Sequence, residues 1–358
     1  MNDECWTIII YEGNIKIKFH FTYSSCDCYK KMIRLCLSKR PRPSYKYFST
    51  DTAAISECER LVKQYDNENY MCSLLLSSKI RSSILAIRAF NVEIATIRDA
   101  ARNNALTGRL RFQFWKDVLD TSYSAAPEDV PPSNLNPIGR NLFKTIQKHG
   151  LERRWLSRLL IAREKELENE ELSDLGDYEE YAEAVGSSLM YLSLQCGNIH
   201  ENEDTVCVTQ GGISDENAYR AAGHVGRTIG MVTLLRSIPM TAANDQRFTL
   251  PFWIMSNHGV KREDFLTGVS TQEMRDCVLE AATAANNQLL DAKQMQEDGE
   301  ISPAAAKILL PAALAEDYLT RLENVDFDVF HPSLIRTKWE NVKFMLHLAN
   351  LERKGHIL

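Results

Sequence analysis

The sequence predicts an all-α protein, a bundle of roughly ten helices. Two observations carry that prediction. From Ser56 onward, apolar residues recur at steps of three and four, with no strand-like alternation and no internal repeat. Capping and breaking residues punctuate the chain at intervals that suit helices. At 358 residues the chain is long enough for one large helical domain. No stretch approaches the ~18 uninterrupted apolar residues of a membrane span. A net charge of −6 gives no general attraction to nucleic acid, and none is expected as a partner.

The N-terminal residues stand apart. Residues 1–50 hold nine Lys/Arg against four Asp/Glu, and the acidic excess lies in the remainder. Residues 1–31 match neither a packed domain nor a signal peptide and are taken as a leader from an upstream start. A second methionine, Met32, opens MIRLCLSKRPRPSYKYFST, which is basic, acid-free and rich in Ser/Thr. That is the composition of a mitochondrial presequence over residues 32–55. The folded domain is then expected over 56–351, with 352–358 as a tail. Nine cysteines, odd in number and scattered, imply reduced and mostly buried thiols.

In order along the chain, SECERLVKQY forms a short helix and DNEN a polar turn. Residues 80–99 are one long helix, buried through Ile80, Ile84, Ile87, Ile94 and Ile97. Its second face carries Arg88, Asn91, Ala95 and Asp99. In the helix at 107–121, Leu110, Phe114, Trp115 and Val118 form the core stripe. APEDVPPSNLNP is a Pro-rich loop, followed by helices at 138–149 and 151–171. Residues 163–183 hold ten acids, the pattern of a solvated surface. Tyr181–Cys196 is apolar and helical, and a polar loop with Gly211–Gly212 follows. Between Ala218 and Ser237, Gly223, Gly226 and Gly230 lie near one side and let another helix approach. Pro239 is expected to end that helix. A long Ala-rich helix spans 272–297, and Ser302 caps the next, with Pro303 at its first position. The last helix, 337–351, is expected to turn Trp339, Val342, Leu346 and Ala349 inward.

No HExxH, no GxSxG and no Cys/His cluster is present. Four segments do carry a resemblance. YMCSLLLSSKIRSSILAIRAFNVEIATIRD, RLRFQFWKDVLD, YAEAVGSSLMYLSL and GHVGRTIGMVTLLRSIP…FTLP resemble, in order and spacing, the squalene/phytoene synthase family. The likeness runs from Tyr65 to Leu346. It implies an isoprenoid synthase type I-like bundle around a central cavity. In active members, two facing helices each present an aspartate-rich motif, and Mg²⁺ ions between them grip the substrate diphosphate.

Carried over position by position, the first motif falls on Ala95, Thr96 and Asp99, one turn beyond Asn91. Only Asp99 is a carboxylate. The second begins after Arg236, where Ser237 takes the aspartate position, and continues at Met240 and Thr241. A single carboxylate cannot hold several Mg²⁺ ions. The resemblance therefore implies a retained fold with no catalytic residues, no metal and no cofactor. Arg236, or another arginine near the helix ends, is expected to replace the metal as the partner of Asp99; the alternative is an Asp99 near the helix end in contact with water.

Within the family, RAFNVEIA, RFQFWKD, HGVKREDFL and VDFDVFHPSL resemble a mitochondrial branch that also lacks these aspartates. Its members serve the biogenesis of respiratory complex I. The resemblance implies an assembly factor on the matrix side of the inner membrane. It would touch that membrane peripherally, and complex I intermediates and subunits would be its partners. Two alternatives stay open: a prenyl-diphosphate synthase with altered metal ligation, and a module that binds an isoprenoid or another lipid.

Overall fold

A computed structural model describes residues 6–12, 15–21, 51–101, 104–126, 129–168, 171–201, 213–243 and 248–357. Residues 32–50, read above as the basic part of a presequence, and the Gly211–Gly212 loop lie outside them. In the leader, β1 (Trp6–Glu12) pairs antiparallel with β2 (Ile15–Phe21), from Trp6 opposite Phe21 to Glu12 opposite Ile15. Ile15, Ile17, Phe19 and Phe21 alternate with Lys16, Lys18 and His20, the period-two pattern of a strand.

The helical domain begins with α1 (Asp51–Tyr65), five residues before the expected Ser56. α2 (Asn67–Leu74) replaces the expected polar turn. α3 (Ser78–Ala95) buries Ile84, Ile87, Phe90 and Ile94 between α1 and α6 (Pro137–His149). The single helix expected over 80–99 is broken. Thr96 ends α3, and α4 (Ile97–Ala100) is a separate turn. The Thr96 hydroxyl lies 3.0 Å from the carbonyls of both Val92 and Glu93, competing for groups the ladder would use.

α5 (Ala105–Ser124) buries Phe112, Trp115, Val118 and Leu119. Leu110 stands in solvent, so the stripe is rotated from the one expected. α7 (Arg153–Lys165) and α8 (Leu175–Ala182) follow. α8 runs through a π-turn, Glu183–Ser187, into α9 (Ser188–Cys196). Two-residue strands β3 (Ile199–His200) and β4 (Ile213–Ser214) pair in parallel, where no strand was expected.

α10 (Glu216–Ala243) is the axis of the bundle. It crosses the π-turn with almost no side chain between the backbones. A Cβ on Gly226 would lie 2.2 Å from Ser187 Cα, and one on Gly186 would lie 1.9 Å from the Gly226 carbonyl oxygen. Of the three glycines expected to admit another helix, Gly226 and Gly230 do so, against Ser187 and Ala182 and with Gly186 as counterpart, whereas Gly223 faces the Tyr191 side chain. Pro239 does not end α10, which continues to Ala243. Hydroxyls serve the backbone here: Ser237 Oγ and Thr249 Oγ1 both donate to the Leu234 carbonyl, at 2.7 and 3.0 Å.

α11 (Phe252–Asn257), α12 (Arg262–Leu266) and α13 (Gln272–Glu297) lead to α14 (Pro303–Leu309). Ser302 caps α14 as expected, accepting from Ala305 N at 3.3 Å. α15 (Ala312–Glu323) precedes α16 (Lys338–Lys354), which a Thr337/Glu340 capping box opens and Gly355 closes. α16 is turned over relative to expectation. Phe344, Leu348 and Leu351 are buried, while Trp339, Val342 and Leu346 face out. The expected tail is packed, since Ile357 is buried and its N–H donates to Gln296 Oε1 at 2.6 Å. The four cysteines among the described residues are free and buried. No described helix is long and apolar enough to cross a membrane.

Candidate functional site

The candidate site is an open cleft of about 770 Å³ between α2, α10, α15 and the segment that leads into α16. α10 contributes Arg236 and Ser237, with Met240 about one turn further along. α2 contributes Glu68, α15 contributes Tyr318, and the final connection contributes Arg336.

Glu68 is the hub. Its Oε2 accepts from Arg236 Nη1 at 2.5 Å, and its Oε1 accepts from Arg336 Nη1 at 2.7 Å. Arg336 also donates to Asp317 Oδ2 through Nη2 and Nε, at 2.6 and 2.9 Å. Its guanidinium lies 4.0 Å over the Phe344 ring. Asp317 accepts in addition from Arg321, and Arg236 lies 5.5 Å from the centre of the Tyr318 ring. Arg336 is the buried member, with its side chain 6% exposed, whereas Arg236 is 43% exposed. The Arg336 pairs are therefore the stronger, because solvent screens Arg236. Nearby, buried Arg88 lies 3.7 Å from Asp66.

The structure separates the residues that the sequence had grouped. Arg236, Ser237 and Met240 line the cleft; Asn91, Ala95, Thr96 and Asp99 do not. Arg236 takes Glu68 as its carboxylate, not Asp99, because α2 lies across the cleft from α10 whereas Asp99 sits beyond the break at Thr96. Thr241 is buried, and its hydroxyl lies 3.1 Å from the carbonyls of Ser237 and Ile238. Ser237 and Thr96 also turn to helix carbonyls. The Oδ1 of Asn91 is buried, with no hydrogen bond within the described residues.

This donor set does not suit Mg²⁺. The ion asks for carboxylate and water oxygens in near-octahedral array, and these positions offer one carboxylate, Asp99, which does not line the cleft, beside alanine, methionine and hydroxyls already bonded to backbone. Among the described residues, no group of three His, Cys, Asp or Glu could hold a metal. What the cleft offers is paired guanidinium and carboxylate, an arrangement that fixes α2, α10, α15 and the C-terminal connection to one another.

Sequence reasoning missed Glu68, Asp317, Tyr318 and Arg336. Glu68 was hidden in what looked like a polar turn. Arg336 had a signal: it lies two residues after VDFDVFHPSL, one of the stretches that carry the resemblance.

Comparison with known proteins places this geometry in a family. The squalene/phytoene synthase family model matches residues 62–343. Among curated proteins, "NADH dehydrogenase (ubiquinone) complex I, assembly factor 6" of Bos taurus is 38% identical over 279 residues, covering 78% of this chain and 77% of its own. The Homo sapiens protein of that name is 36% identical, covering 77% of this chain and 76% of its own. The Dictyostelium discoideum homolog is 30% identical, covering 79% and 76%. Among solved structures, a dehydrosqualene synthase in complex with ligand has a TM-score of 0.66 at 16% identity, covering 85% of this chain and 98% of that one. A squalene synthase from Alicyclobacillus acidocaldarius has a TM-score of 0.62 at 15% identity, covering 77% and 95%. These structures share the fold. The chain belongs to the squalene/phytoene synthase family, among relatives that carry the complex I assembly factor 6 name.

Proposed function

We propose that this protein is a non-catalytic assembly factor for mitochondrial respiratory complex I, acting from the matrix side of the inner membrane and touching it peripherally. Its partners are complex I subunits and assembly intermediates. The observation that carries the reading is the state of the second motif position. Ser237 stands where the family resemblance calls for an aspartate, and its hydroxyl bonds the Leu234 carbonyl. The residue before it, Arg236, is tied to Glu68. A diphosphate held through metal has no carboxylate partner at the motif positions of this helix, Ser237, Met240 and Thr241, and prenyl transfer loses its leaving-group activation. Relatives named for complex I assembly, similar over three quarters of both chains, support the assembly role.

The test is a deletion of the gene, with respiratory complexes resolved on native gels. Loss of complex I with the other complexes intact, restored by the wild-type chain, is the expected result. Purified protein incubated with radiolabelled prenyl diphosphate and Mg²⁺ or Mn²⁺ provides the counter-test. Turnover there would establish an enzyme with altered metal ligation and overturn the non-catalytic reading.

A further inference from the structure

α16 has two apolar stripes where a surface helix needs one. The inner stripe, Phe344, Leu348 and Leu351, packs on Leu310, Ala313 and Leu314. The outer stripe is Trp339, Val342 and Leu346, spaced by three and four. Trp339 is 68% and Leu346 70% exposed. A tryptophan and two aliphatic side chains on one helix face, all in water, mark a contact surface rather than scattered exposure.

Charge selects what that surface meets. Lys343, Arg353 and Lys354 are exposed beside the outer stripe. The two acids of α16 are engaged off this face. Glu340 accepts from Thr337 N at 2.6 Å and lies 3.6 Å from Arg321, and Glu352 lies 2.7 Å from Lys307. The outer face is therefore apolar and cationic. From Trp339 to Arg353 it runs about 21 Å at 1.5 Å per residue. Tryptophan and aliphatic residues flanked by Lys and Arg, on a helix too polar to span, is the pattern of a helix lying in a bilayer interface. Around the other exposed aromatic pair, Phe252 and Trp253, the charge is balanced rather than cationic, because Glu171 and Glu263 line the same groove as Phe252 together with Lys261 and Arg262.

We propose that α16 is the membrane-contact element. Its outer stripe enters the headgroup–acyl boundary of an anionic bilayer, and Lys343, Arg353 and Lys354 meet lipid phosphates. This rests on the peripheral membrane placement proposed above and names the surface responsible.

The experiment uses the full chain and vesicles of phosphatidylcholine, with and without phosphatidylglycerol. Sedimentation should recover the wild type with the anionic vesicles, and raising salt should release it. Trp339→Ser with Leu346→Gln should abolish recovery. Arg353→Gln and Lys354→Gln should each weaken it about fivefold. All these positions are exposed, and circular dichroism checks that the fold is kept. In the wild type, brominated lipid should quench a fluorescence component that Trp339→Phe lacks. Equal recovery of the wild type and the Trp339/Leu346 variant overturns the proposal. So does unchanged vesicle binding in a variant that fails to restore complex I, since the stripe would then dock a protein. Normal complex I in the deletion strain, with vesicle binding intact, would overturn the assembly role and leave this proposal standing.

Discussion

Replacing Gly226 by alanine should be the most damaging one-carbon change in the bundle. The new Cβ would lie 2.2 Å from Ser187 Cα and 2.4 Å from Ser187 N, both backbone atoms. Ordinary contact begins near 3.4 Å, so α10 and the π-turn must part by about an ångström in a close-packed interior. Overpacking costs about 1–3 kcal/mol where side chains can yield. Backbone on both sides puts this case at or above about 3 kcal/mol, against a gain of about 1 kcal/mol from alanine's helix propensity. At about 2.1 cal/mol/K of unfolding entropy per residue, a net loss of about 2 kcal/mol lowers the melting temperature of a domain of about 300 residues by roughly 3 °C. Gly223→Ala is the control, on the same helix with the same propensity change. Its Cβ would meet only the Tyr191 hydroxyl at 2.9 Å, the free end of a side chain. Thermal melts followed by circular dichroism at 222 nm should show Gly223→Ala within about 1 kcal/mol of wild type. Equal melting of Gly226→Ala and wild type, or equal loss in both variants, would refute the close-approach argument.

Removing Glu68 should matter more through Arg336 than through Arg236. Urea unfolding should show Arg336→Met costing about 2–4 kcal/mol and Arg236→Met about 1 kcal/mol or less. Glu68→Gln with Arg336→Met should be non-additive in a double-mutant cycle, whereas Asp99→Asn with Arg236→Met should add. Millimolar Mg²⁺, with or without a diphosphate, should leave the melting temperature unchanged. A bound ligand at ~100 times its dissociation constant would add about 2.7 kcal/mol and be plainly visible. Stability should also fall in mild acid. Burial, with Lys148 nearby, lowers the pKa of His149 to about 4, and its Nε2 lies 2.8 Å from Ser83 Oγ. The unfolded chain binds that proton near pH 6.5 and the folded one does not, so up to about 3 kcal/mol is lost as pH falls from 6.5 to 4. His149→Gln should flatten that slope in urea titrations. Finally, terminal sequencing of the organellar protein should find residues 32–50 removed, and an intact Met1 would contradict a presequence.

Some of this architecture was written plainly in the chain. Ile84, Ile87, Ile94 and Ile97 are buried as their spacing requires, and Ser302 caps α14. Periodicity failed where a helix has two apolar stripes. In α16, Trp339/Val342/Leu346 and Phe344/Leu348/Leu351 both recur at helical spacing, and only the cluster around Leu310 and Leu314 decides which goes inside. Pro239 removes the amide that would bond the Leu235 carbonyl, yet α10 runs on to Ala243, so the local breaking signal is overridden by the packing of the helix in the bundle. The site was half legible. Motif positions on α10 could be numbered from the resemblance. The partner of Arg236 depended on which loop crosses the cleft, and no local pattern encodes that.

The ion pair between Glu68 and Arg336 joins residues 268 positions apart. Loop-closure entropy is therefore large for this contact, and topology makes it among the last to form. A chain that emerges N-terminus first can build α1, α2 and α3 long before Arg336 arrives. Until then, the Glu68 carboxylate has only water and Arg236 to hold it. Completion of the fold is thus timed by the last few dozen residues. A chain stopped after α15 would have most of its helices and no lock.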